Sequence, residues 1–164
     1  NATGIHVVEL DVVPPSTPKQ VLTFAVREVH RFNLYQDTEA ETKRFAKWVD
    51  KLPKNTVVGC CITDTAMAKT RPLNSTVYES FRKLGASDSL TLIGYREPFC
   101  FLGWKGAAKG KGVYALDAKK QSKQLLRLDA VVSMDKGELS MTWKSSQVKL
   151  LEQLPAAKKR RTEE

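Results

Sequence analysis

A chain of 164 residues, 41% hydrophobic and 27% charged, is long enough for one domain with a real core and too short for two independent ones. No apolar run approaches the roughly 20 residues that cross a bilayer as a helix, which excludes a membrane-spanning helix. The net charge of +9 is uneven: from Lys105 onward fourteen Lys and Arg face seven acids, or +7, leaving +2 for the first 104 residues.

The chain begins at Asn1 with no initiator methionine or signal-peptide pattern, so its start is expected to have been removed by processing or by excision from a longer protein. Ile5 to Val13 is apolar enough for a strand buried on both faces, and the Pro14-Pro15-Ser16-Thr17-Pro18 cluster breaks it into a loop. Val21 to Val26 and Glu28 to Tyr35 read as two further extended segments. Asp37 caps a helix with acids in its first turn, where they oppose the positive end of the helix dipole. Phe45, Trp48, Val49 and Leu52 fall at helical spacing and predict a core face, closed by Pro53.

Thr56 to Thr63 is the clearest strand, and Asp64 ends it. Asn74 or Ser75 caps a second helix carrying Val77, Tyr78, Phe81 and Leu84, with Gly85 as its stop. In Leu92 to Gly106 the polar pair Arg96-Glu97 interrupts two glycine-punctuated apolar runs, both expected as strands, with a turn or ligand-facing edge between them. Lys105 to Gly112 reads as a flexible basic loop, and Val113 to Leu116 as a short strand. Leu125 to Met134 and Glu138 to Trp143 form a hairpin across Asp135-Lys136-Gly137. A helical turn over Val148 to Leu154 and a mobile, basic end complete the chain.

Chemistry that would mark an enzyme is absent from the pattern. His6 and His30 sit near no serine or cysteine nucleophile, His6 has no companions for a metal site, and the glycines near residue 110 lack the Gly-Lys-Ser/Thr ending of a phosphate loop. Neither catalysis, nor a cofactor, nor a metal is expected. Cys60, Cys61 and Cys100 are odd in number, and adjacent strand cysteines point to opposite faces, so all three read as free thiols suited to a reducing compartment. Two glycosylation sequons, at Asn1 and Asn74, point instead to the secretory route, while Lys158, Lys159, Arg160 and Arg161 would suit nuclear import or an anionic surface. The compartment stays open.

Several segments in order resemble the ILEI/PANDER domain: Gly4-Ile5-His6-Val7-Val8, Phe32-Asn33-Leu34-Tyr35, Thr56-Val57-Val58 through Thr63-Asp64, Phe81-Arg82-Lys83-Leu84-Gly85, and Ile93-Gly94-Tyr95-Arg96-Glu97 to Gly103-Trp104-Lys105-Gly106. The likeness runs from about Gly4 to Leu116, and the most specific part is Gly94 to Gly106. It departs from the family in having Glu97 for an aspartate, Pro98-Phe99 near a usual tryptophan, a Pro-rich insertion at residues 12–25, and no counterparts of the disulfide cysteines found in the cytokines that carry this domain.

The resemblance implies an α+β, β-β-α domain over residues 4–144, with two antiparallel sheets flanked by helices, followed by a basic extension over 145–164. It further implies a non-catalytic binding module. In the stem of a protein O-mannose N-acetylglucosaminyltransferase such a domain binds a β-linked N-acetylglucosamine, and carried over by position its sugar-facing residues correspond to Asp64 and Arg96, with Glu97 beside them. A glycan or glycoprotein is thus the first expected partner. The alternative is an intracellular basic assembly or scaffold protein using Lys105, Lys109, Lys111 and the Lys158 to Arg161 run to hold an acidic protein surface or, less favoured, nucleic acid.

Overall fold

The computed structural model describes residues 3–13, 22–62, 64–116 and 128–143. Strand β1 (Ile5–Val13) lies second in a five-stranded sheet with β2 (Thr23–Phe32), β3 (Val57–Ile62), β4 (Phe99–Trp104) and β5 (Val113–Leu116). The order is β2-β1-β3-β4-β5, every neighbour antiparallel. Strands β6 (Ala130–Asp135) and β7 (Glu138–Trp143) form a separate two-stranded sheet, turning at Lys136 and Gly137, both with positive φ. Helices α1 (Thr38–Lys51) and α2 (Ser75–Arg82) complete the α+β architecture with its two antiparallel sheets.

The period-2 alternation of strands decides which residues face the helices. Val7 pairs with Cys60, Cys60 with Phe101, and Phe101 with Tyr114, so these four share one face with Ile5, Phe32, Ile62 and Phe99. Against that face pack Phe45 and Val49 of α1, Leu52 just after it, and Val77 and Phe81 of α2. Phe81 lies at the centre, its ring centroid 5.3 Å from those of both Phe45 and Phe101. The opposite face carries Leu10, Val57, Leu102 and Trp104, which the β6–β7 hairpin covers with Leu139, Val132, Met134 and Met141. The molecule is therefore helices, sheet and hairpin in three layers.

Both helices start as the sequence predicts. Asp37 caps α1 by accepting the Ala40 amide, and Asn74, exposed, caps α2 by accepting the Thr76 amide at 2.9 Å. Four expectations need correction. The residues before Gly94 form a 3-10 turn (Asp88–Leu92), because Leu90 and Ile93 bond back three residues instead of sideways. The two segments around Arg27 are one strand, with a register shift opposite Glu9/Leu10 that absorbs an extra residue. β1 alternates: Ile5, Val7 and Glu9 are buried, and His6, Val8 and Leu10 are half-buried under thinner cover. Lys105 to Gly112 is held in place, Gly106 donating to the Lys83 carbonyl and Gly112 to the Gly85 carbonyl at 2.8 Å. The Pro-rich segment and residues 144–164, with the predicted turn at Val148 to Leu154, lie outside the described residues.

Candidate functional site at the end of β3

Asp64 follows the last residues of β3, and Arg96 lies in the turn that leads into β4. Antiparallel pairing of Ile62 with Phe99 brings these two connections to one end of the sheet. There the Asp64 carboxylate stands 3.6 Å from Arg96 Nε. The separation is that of a loose ion pair, longer than a hydrogen bond. Both side chains are about half exposed (43% and 55%), and among the described residues neither makes a hydrogen bond through its charged group. The Arg96 guanidinium also lies over the Tyr95 ring, 5.5 Å from its centroid.

Thr65 joins the two connections. Its hydroxyl is buried, donates to the Met67 carbonyl at 2.6 Å, accepts the Met67 amide at 3.2 Å, and receives the Arg96 amide at the limit of hydrogen bonding, 3.5 Å. Its carbonyl accepts the Gly4 amide at 2.7 Å, tying the start of β1 to the same rim. Gly4 has φ of 102° and leaves no room for a side chain, since a Cβ would fall 2.4 Å from the Phe32 carbonyl oxygen.

Arg96 itself has φ of 55°, the left-handed region that disfavours a branched or bulky residue, so the turn holds it against its intrinsic preference. Glu97 supplies part of that hold: its carboxylate folds back and accepts the Gly94 amide at 2.6 Å. A side chain at Gly94 would stand 2.7 Å from that carboxylate. Asp64 and Arg96 thus face outward together, whereas Glu97 buttresses the turn. Sequence reasoning passed over Thr65 and Tyr95; an aromatic residue before the arginine was the available signal for Tyr95, and Thr65 had none.

The basic residues are divided among different tasks. Lys105, largely buried, donates to the Val49 carbonyl at 2.7 Å in the last turn of α1, where a cation complements the helix dipole. The neighbouring Asp50 carboxyl is held below its ordinary value chiefly by its hydrogen bond from Lys83, then by the field of Lys105. Lys109 pairs with Asp88, whose carboxyl is lowered first by Lys109 and then by Arg82. Lys111 is exposed. Lys158, Lys159, Arg160 and Arg161 lie outside the described residues, as does Asn1.

A family model described as Interleukin-like EMT inducer (ILEI) matches residues 3–107. The chain belongs to this family. The matched span holds β1 to β4, both helices and the whole rim formed by Asp64, Thr65, Tyr95, Arg96 and Glu97. Strand β5, the β6–β7 hairpin, Lys109 and Lys111 follow the matched part of the ILEI domain. No curated protein matches the chain. Among the described residues no helix is long and apolar enough to cross a membrane.

Proposed function

We propose that this ILEI domain is a non-catalytic binding module that recognises a carbohydrate of the N-acetylglucosamine type at the Asp64–Arg96 rim. One observation carries the reading: a carboxylate and a guanidinium from distant parts of the chain meet at an exposed edge with hydrogen-bonding capacity left over. A carboxylate accepts only, and a guanidinium offers five donors in a fixed fork, so together they match vicinal hydroxyls and an acetamide carbonyl. Tyr95 supports the fork from beneath. A purely structural ion pair would stabilise the fold little at this exposure, under about 1 kcal/mol.

The two roles separate experimentally. Titrating the protein with a glycan ending in β-linked N-acetylglucosamine should shift amide resonances at residues 64–67 and 94–97, and Arg96→Ala or Asp64→Asn should abolish those shifts while the urea midpoint hardly moves. Absence of shifts at this rim in the unaltered protein, or shifts that persist in Arg96→Ala, would refute sugar recognition here.

A further inference from the structure

Glu9 is a carboxylate where the pattern of β1 calls for an apolar residue: it faces the helices beside Ile5 and Val7 and is 5% exposed. Burying an ionised carboxylate is costly unless it is paired, and no Lys or Arg among the described residues forms an ion pair with it. Its partners are His30 and Trp48. The Trp48 indole N–H donates to Glu9 Oε1, fixing the orientation of that oxygen, and the rings of Trp48 and Phe32 wall His30 at centroid separations of 5.5 and 6.1 Å.

The sheet register adds a third group. Glu9 lies directly across from Glu28, and His30 is two residues further along the same face of β2. Like charges directly opposite in a ladder repel. The imidazole nitrogen His30 Nε2 stands 3.2 Å from Glu9 Oε1 and 2.9 Å from Glu28 Oε2, and the three ligand atoms all lie within 4.8 Å of one another. A single N–H cannot neutralise two carboxylates. A dication at about 2.0–2.2 Å from each atom would, and ligand atoms around such an ion are about 3.0–3.5 Å apart.

We propose that Glu9, Glu28 and His30 form a binding site for a divalent first-row transition-metal ion. One neutral imidazole with two carboxylates suits zinc, iron(II) or manganese(II) better than calcium or magnesium, which favour all-oxygen sets. Trp48 acts as the outer partner that orients a ligand. The Glu28 side chain is 59% exposed and His30 is 25% exposed, so an ion can enter from solvent and its remaining positions are open to water or an incoming ligand. The site is distinct from the Asp64–Arg96 rim: Glu9 pairs with Val58, near the opposite end of β3.

The test uses the full chain. Manganese chloride is titrated while the tryptophan indole N–H and histidine ring resonances are followed, and calorimetry with zinc chloride gives the stoichiometry. Paramagnetic Mn2+ should broaden Trp48 and His30 at lower metal concentration than Trp104, which lies two strands away on the other face of the sheet, and zinc should bind one ion per chain. Glu28→Gln and His30→Asn should each weaken binding by about tenfold or more. Glu28 is exposed, so its variant should keep the native circular dichroism spectrum. Undiminished binding in Glu28→Gln, or an ion that leaves Trp48 untouched because thiols hold it, would overturn the assignment.

Discussion

At the scale of single residues, position along a strand decides chemistry that residue type alone does not. Cys60 faces the core, and its thiol is pushed well above the ordinary value by burial, with smaller contributions from Cys61 and Cys100. Burial likewise raises Cys61, and pushes Cys100, its cross-strand partner, up to about 11. All three are free thiols, as the odd count suggested. Since the thiolate is the reactive form, alkylation by iodoacetamide near pH 8 should be far slower in the folded protein than in urea, with Cys60 the last to react. The sign of the linkage follows. A folded value above the unfolded one means that the native state holds the proton more tightly, so this contribution to stability is complete below about pH 8.5 and is lost as pH rises through about 11. Mass spectrometry of labelled peptides and urea midpoints from pH 8 to 11 check both. Equal labelling in native and unfolded protein would refute it.

Asp64 and Arg96 were legible from the family likeness, but their mutual distance was not, because it depends on which ends of β3 and β4 meet. Glu97 stood beside them as a possible third contact, and the backward fold of its carboxylate onto the Gly94 amide is a tie within the turn that no local signal announced. Glu9, Glu28 and His30 carried no readable signal. Their grouping needs the register of two strands and a bulge between them, and neither follows from periodicity.

At the scale of elements, capping residues and apolar periodicity placed α1, α2, β1, β3, β4 and the hairpin, since those signals are local. The 3-10 turn was missed because a short apolar run fits strand and helix alike. The apparent looseness of Lys105 to Gly112 came from counting glycines without their partners. The close approach of backbone to backbone lies just before that segment, in β4: a Cβ at Gly103 would stand 2.1 Å from the Leu84 carbonyl oxygen and 2.6 Å from the Phe101 ring. The carbonyl cannot yield without disturbing the hydrogen bond it accepts from the Trp104 amide, at 3.1 Å. Gly103→Ala should therefore cost about 2–4 kcal/mol. Gly110→Ala provides the contrast, with φ of 80° and nothing within 4 Å, and should cost only the left-handed backbone penalty of about 1 kcal/mol. Urea denaturation of the two variants measures the difference, and equal losses would show that the close approach at Gly103 is not limiting.

At the scale of the whole molecule, the ILEI match ends at residue 107, yet the fold does not. The outer face of the matched strands carries Leu10, Val12, Leu102 and Trp104, and these pack under a hairpin formed by residues 130–143. Leu139 of the hairpin is buried, 7% exposed, and it packs in one cluster with Val57 and Trp104. If the hairpin is an integral layer, Leu139→Ala should remove about 2–3 kcal/mol through lost burial and the cavity left behind. The indole of Trp104 should become wetter, and amide exchange should quicken in β6 and β7 before it does in β3. A hairpin that merely rests on a self-sufficient domain would behave differently: its amides would already exchange fast, and truncating Leu139 would leave the unfolding midpoint where it was. Hydrogen exchange on the full chain and on Leu139→Ala distinguishes these outcomes, and the apolar character of Leu10, Val12 and Leu102 beneath the hairpin favours the first, because uncovered they would form an exposed patch on a charged protein.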